Sequence, residues 1–262
     1  MVGVTAWALL TGARAAEFVP RQRLPERKHI KLMARSVQLG VATIGEALAA
    51  RPGWERVPPE RRGLFVGARP VGATTDLIPA LDVSVVDGQV DLRRFGDVGL
   101  SRLHPLWLVK GLSNNIPGYA CAYWDLRGPT ANRCEGDAGG LAAIVEAIRA
   151  VEEGRVDLAI AGGADCLVPP PPWRTGTTGE GAGFVVLERD QGRAITGGTS
   201  LGVSGDPEDR TVDLGAATGP ASLVAACEGR TAQRIEVGDA AVGLTAWVQI
   251  AADEESGESQ VQ

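Results

Sequence analysis

RGPTANRCEGDAGGLAAI, residues 127–144, is the stretch whose reading decides the fold. Gly128-Pro129 punctuates a loop, because neither residue continues a helix or a central strand. From Ala138 onward, Leu141, Ile144, Val145, Ile148 and Val151 recur at the steps that place side chains on one helix face. Gly154 then ends the helix. VDLAIA at 156–161 follows as an apolar strand stopped by Gly162-Gly163, and GFVVL at 183–187 is another. Helix alternating with apolar strands predicts an α/β layered fold.

Working outward, MVGVTAWALLTGARAA at 1–16 predicts an opening strand. No Lys or Arg precedes its apolar run, as a secretory leader would require, so a cytoplasmic protein is expected. Ile30, Met33, Val37, Val41, Ile44 and Leu48 predict one amphipathic helix over 30–48, entered through a basic segment at 21–31. GLFVG at 63–67 predicts a short buried strand. Downstream, Pro169–Pro172 predict an extended spacer. The alternation over Val242–Ile250 predicts a half-buried strand, and the acidic, polar residues 253–262 a disordered tail.

The whole chain, 262 residues, is long enough for one or two domains with a buried core. Its 44% hydrophobic and 22% charged content is that of a globular protein. A net charge of −6 argues against a nucleic-acid partner, since phosphate binding needs a basic surface. No apolar run reaches the length that spans a bilayer, so no membrane partner is expected. Cys121, Cys134, Cys166 and Cys227 form no CxxC pair, and His29 and His104 are the two histidines. Neither a metal site nor a disulfide framework is indicated.

Four blocks resemble the β-ketoacyl synthases of the thiolase superfamily. Residues 127–144 are similar to the family's loop, nucleophile and buried helix, and VDLAIAGGAD (156–165) to the strand and glycine turn that follow. GEGAGFVVLE (179–188) is similar to the glycine-rich return strand, and LGAATGPASLVAAC (214–227) with the 242–250 strand to the closing helix and strand. The resemblance implies a thiolase-like layered α/β/α/β/α fold with a shortened C-terminal half. An N-terminal half over 1–190 and a shortened C-terminal half over 191–252 would precede the tail, with losses around 168–178 and 190–212.

The family's chemistry needs a Cys at a helix N-terminus and two histidines that assist decarboxylation. The nucleophile stands eight positions after the loop Pro and four before a helix Leu. Counting from Pro129 and back from Leu141 both reach Asp137. The family's GHT-like block aligns with Gly215-Ala216-Ala217-Thr218, which puts Ala where His stands, and no His follows residue 137. A carboxylate attacking a thioester would give a mixed anhydride, less stable than the thioester it came from, so acyl storage on Asp137 is not expected. Asp137 is read either as a helix N-cap or as an electrostatic or general-base group in a pocket. Cys134 is read as a packed thiol, His104 as a structural hydrogen-bonding residue, and Trp107, Leu108, Tyr119, Tyr123 and Trp124 as core.

The resemblance then implies a non-elongating accessory subunit, similar in logic to the chain-length factors of type II polyketide systems. It would pair as a heterodimer or larger complex with a catalytic ketosynthase-like protein and meet an acyl carrier protein. No independent condensing activity and no cofactor are expected, the acyl-phosphopantetheine on the carrier being the group handled. Arg27, Lys28 and Lys31 are candidate carrier-docking residues, a solvated helix lead-in being the alternative. A repurposed hydrolase, cyclase or decarboxylase using Asp137 as general base, and a remnant without a partner, are the other readings.

Overall fold

A computed structural model describes residues 1–69, 74–168, 177–201, 214–239 and 243–252. Strand β1 (Val2–Thr11) opens the chain, and short helices α1 (Gly12–Ala16) and α2 (Pro20–Arg23) lead to α3 (Arg35–Ala49). Strand β2 (Arg62–Gly67) follows; then come α4 (Thr74–Asp82), a two-stranded ribbon of β3 (Val85–Val86) and β4 (Gln89–Val90), α5 (Leu92–Asp97) and α6 (Trp107–Gly111). Next stand α7 (Asn115–Trp124), β5 (Thr130–Arg133), α8 (Gly139–Glu152), β6 (Leu158–Cys166), β7 (Glu180–Arg189) and β8 (Arg193–Leu201). The described chain closes with α9 (Thr218–Glu228), β9 (Gln233–Asp239) and β10 (Leu244–Ile250).

Eight strands join in the order β5-β2-β6-β7-β1-β8-β10-β9. β2 is parallel to both β5 and β6, and the pairings from β6 onward are antiparallel. Alternation along the strands sends side chains to two cores. Leu64, Val66, Leu158, Ile160, Phe184 and Val186 meet α3, while Phe65, Ala159, Ala161, Val185 and Leu187 meet α8. Ile195, Val237, Ala246, Val248 and Ile250 also reach the α8 core, so the sheet folds over α8 and covers it from both sides. Among the described residues the layers are α3, sheet, α8 with α9, sheet: the layered α/β arrangement expected, with four of the five layers of α/β/α/β/α and no second outer helix layer. The halves proposed at 1–190 and 191–252 meet inside this sheet, where β8 pairs with β1 on one side and β10 on the other.

The structure corrects several boundaries. The helix expected over 30–48 begins at Arg35; residues 27–32 form a 3-10 turn, and Met33 and Ala34 are extended. Gln38 donates through Nε2 to the Ile30 and Met33 carbonyls, which serves those groups outside the helix. β6 does not stop at Gly162-Gly163 but runs on to Cys166. These glycines permit close approach rather than a break: a Cβ on Gly163 would lie 2.4 Å from the Ala216 carbonyl oxygen. β7 is longer than expected, 180–189, and residues 193–201, inside the region where shortening was placed, form an ordered strand. The Pro169–Pro172 spacer, Val242 and the tail 253–262 lie outside the described residues.

Candidate functional site

The parallel strands β5, β2 and β6 end beside the N-terminus of α8, the edge of an α/β sheet where sites are commonly built. Asp137 lies there, in a 3-10 turn over Gly136–Ala138, and is 7% exposed. Gly136 sits at φ +54°, and a Cβ on it would fall 1.9 Å from Oδ2 of Asp239. That same Oδ2 accepts the backbone N–H of Asp137 at 2.9 Å. The elbow therefore requires glycine at 136, both for its backbone conformation and for room.

The Asp137 side chain does not take the N-cap position. Ala138 is the N-cap residue of α8 and no side chain caps it. The carboxylate Oδ1 instead accepts from Nη2 of Arg69, which lies just past β2. Arg69 turns its Nε to Oδ2 of Asp165 at 2.7 Å, so one guanidinium bridges two carboxylates. Asp165, 2% exposed near the end of β6, also accepts the backbone N–H of Cys166 at 2.9 Å and of Ala216 at 3.3 Å. Thus the Asp137 turn, the exit of β2, the end of β6 and the Gly215–Ala217 turn are tied at one point.

Electrostatics follow from burial. Desolvation pushes the Asp165 carboxyl up to about 6, against the pull of Arg69 and the two backbone donors. Burial alone would lower the Arg69 guanidinium, but Asp165 and Asp137 outweigh it and hold it above its ordinary range. With Asp165 raised from the model-compound 3.8, folding gains most from this group below pH 4 and loses that gain as pH rises through about 6. Asp165→Asn is expected to flatten this part of the stability profile, so the wild-type minus variant melting temperature should fall between pH 4 and pH 7 in thermal scans.

Among the other candidates, Cys134 is half-buried and its Sγ lies 3.4 Å from both Ser113 Oγ and Asn132 Nδ2. Beside it, Glu135 pairs with Arg133 at 2.6 Å. His104 accepts the Leu106 N–H at 3.0 Å, the structural role expected. His29 contacts Tyr123 Oη at 2.8 Å and stacks on its ring, with Tyr119 beside both. Arg27, Lys28 and Lys31 are exposed on the 3-10 turn that His29 anchors to α7, and Lys28 lies 3.6 Å from Glu26. Leu108, expected in the core, is 63% exposed. Arg69, Asp165 and Asp239 were missed by sequence reasoning; the usable signal was that Arg69 and Asp165 follow the glycine-rich ends of two apolar strands. Ala216 and Ala217, where the family's histidine block aligns, are fully buried. All four cysteines are free thiols, and no helix among the described residues is long and apolar enough to cross a membrane.

Comparison with known proteins places this geometry. The family described as Beta-ketoacyl synthase, N-terminal domain, matches residues 11–178. Nodulation protein E of Rhizobium leguminosarum bv. trifolii is 28% identical in a match covering 49% of this chain and 38% of that protein. The chain thus spans well under half the length of this curated relative. A structure of a type II PKS acyl-carrier protein in complex with its ketosynthase bound to the hexaketide contains a chain similar at a TM-score of 0.74, 14% identical, over 96% of this chain and 99% of that one. The ishigamide ketosynthase/chain length factor matches at 0.63, 16% identical, with the same two coverages. A ketosynthase from module 6 of the bacillaene synthase of Bacillus subtilis 168 matches at 0.65, 11% identical, over 97% of this chain and 72% of that one. These likenesses show a thiolase-like ketosynthase fold.

Proposed function

This chain belongs to the β-ketoacyl synthase family, and from that premise we propose that it is a non-elongating accessory subunit that pairs with a catalytic ketosynthase in type II polyketide or related acyl-chain biosynthesis. The observation that carries the reading is the bridged pair at the elbow. Where the family nucleophile aligns, a carboxylate is neutralised by Arg69, and a buried Ala replaces the expected imidazole. A carboxylate held by a guanidinium is a weak base and a weak nucleophile, which also weighs against the reading as a hydrolase, cyclase or decarboxylase. The thiol that accepts the acyl group then belongs to the partner. Two neighbours in fold support the pairing, one described as a ketosynthase/chain length factor, the other as a carrier protein with its ketosynthase.

Incubated alone with an acyl carrier protein bearing a labelled acyl-phosphopantetheine, the chain is expected to show no mass increase. Co-expressed with a ketosynthase from the same gene neighbourhood, it is expected to co-elute as a stable complex. Acyl loading of the isolated chain would overturn the proposal, as would Asp137→Asn abolishing turnover while leaving the complex intact.

In the same reading, Arg27, Lys28 and Lys31 dock the acidic carrier protein. The turn that carries them is held by the His29–Tyr123 contact, so three cations project from a fixed support. Exchanging Arg27 and Lys28 for Glu is expected to weaken carrier binding by about tenfold at low salt and far less at high salt, since exposed charges act within roughly 10 Å at 0.1 M. Calorimetry at two ionic strengths reads this directly.

A further inference from the structure

A cleft of about 430 Å³ opens at the end of the sheet away from the Asp137 elbow, where β2 and β6 begin and β7 ends. Its walls are the loop before β2, the residues just before β6 and the exit of β7. That volume suits a small molecule. Val57, Pro58 and the buried Val156 give the cleft an apolar side. Arg51, Arg56 and Arg189 line it together with Asp157 and Glu188.

Both carboxylates are already engaged. Glu188, 5% exposed, accepts from Nε and Nη2 of Arg51 at 2.6 and 3.0 Å and from the Thr5 hydroxyl at 2.7 Å. Asp157 takes two hydrogen bonds from Arg61, a residue outside the cleft, at 2.6 and 3.0 Å. Arg189 donates through Nη2 to the Val151 and Glu152 carbonyls at the end of α8, and among the described residues its Nε and Nη1 have no protein partner. Arg56 makes no hydrogen bond or ion pair with any protein group among the described residues. On a chain of net charge −6, the cleft thus keeps two guanidinium groups with donors to spare.

The support under Arg56 sets it apart from an ordinary solvated arginine. Trp54–Arg56 is a 3-10 turn entered through Gly53 at φ +82°, a conformation that favours glycine. A Cβ on Gly53 would lie 2.2 Å from Nη2 of Arg56, so the glycine makes the seat for that guanidinium. The buried Arg62 donates to the carbonyls on either side of residue 56, those of Glu55 and Val57, each at 2.7 Å, and lies over the Trp54 ring. A backbone fixed in this way meets part of the ordering cost of recognition before a ligand arrives. Guanidinium forks match the oxygens of phosphates and carboxylates. Two of them favour a phosphate, which offers more charge and one more terminal oxygen than a carboxylate.

We propose that this cleft binds a small phosphomonoester with an apolar body, its phosphate held by Arg56 and Arg189 and its body against Val57, Pro58 and Val156. The site is separate from the Asp137 elbow and does not depend on the pairing proposed above.

Isothermal titration calorimetry of the full chain tests this with phenyl phosphate as the probe and with benzoate and inorganic phosphate at matched ionic strength. Phenyl phosphate is expected to bind saturably and about tenfold more tightly than benzoate. Arg56→Gln is expected to keep the wild-type melting temperature, since the side chain is exposed and unpartnered. Its affinity for phenyl phosphate should fall about tenfold, the scale of losing hydrogen bonds to a charged group. Arg56→Lys should fall between, because an ammonium keeps the charge without the fork. Arg21→Gln, which removes an exposed cation on α2, should bind as wild type. Absence of saturable binding at millimolar phenyl phosphate overturns the proposal, as does an equal loss in Arg56→Gln and Arg21→Gln, which would reduce the effect to net charge. Benzoate or inorganic phosphate binding as tightly as phenyl phosphate overturns the assigned ligand class.

Discussion

Arg69→Ala is expected to destabilise the fold by about 3 kcal/mol near neutral pH, the lower end of the cost of breaking a buried ion pair from one side. The lower end applies because the Arg69 side chain keeps 23% of its exposure, while those of Asp137 and Asp165 keep 10% and 3%. Removing the guanidinium strands two buried carboxylates side by side, and neither can return to water without moving the elbow turn. Protonation limits the penalty: without Arg69 the Asp165 carboxyl, already held up to about 6, rises further and goes neutral. The destabilisation should therefore be small at pH 5 and grow toward pH 8. Asp165→Asn in the Arg69→Ala background should recover part of the loss at pH 8, because one of the two stranded charges is gone. Arg69→Lys should fall between, since an ammonium keeps the charge but lacks the planar fork that spans both acids. Urea unfolding at three pH values reads all four proteins; a pH-independent loss in Arg69→Ala would show that the bridge carries no such electrostatic weight.

That bridge was only half legible in the sequence. Asp137 was found because its neighbours are local: a loop Pro on one side and a helix Leu on the other fix its position by counting. Its partner is 68 positions away, and although Arg69 follows the glycine end of an apolar strand, nothing in GLFVGAR pairs it with Asp137. The N-cap reading of Asp137 used only local rules, and the long-range cation prevailed over them. Strong periodicity was legible in α8 and the centres of β6 and β7, whose residues are buried on repeating faces. Strand ends were not, because Gly162-Gly163 looks like punctuation until the Ala216 carbonyl is seen resting against it. Leu108 was legible as hydrophobic yet not as exposed: its residue type is that of a core, and only the fold shows that neither hydrophobic core reaches it.

Gly140→Ala is expected to cost about 3 kcal/mol, the upper range for overpacking a close contact. In a free helix the same exchange would gain up to roughly 1 kcal/mol, so the sign of the result is diagnostic. A Cβ on Gly140 would stand 2.1 Å from the Ala216 carbonyl oxygen and 2.6 Å from Cγ of Pro220. Accommodating it requires the Gly215–Ala217 turn to lift away, and that turn also donates its Ala216 N–H to Asp165. The contact bears directly on function, because this turn aligns with the block that carries an imidazole in catalytic members of the family. Ala216 is fully buried, pressed between the start of α8 and the middle of β6. Introducing the family's Cys and His by Asp137→Cys with Ala216→His would force a ring into filled space and remove one anion from Arg69. That double variant is therefore expected to melt several degrees below wild type and to take up no acyl group from a carrier protein. If Gly140→Ala proves stabilising and the double variant loads acyl groups in an intact-mass assay, then the turn is not seated on α8, and the non-elongating role proposed above would rest on two side chains alone rather than on the packing around them.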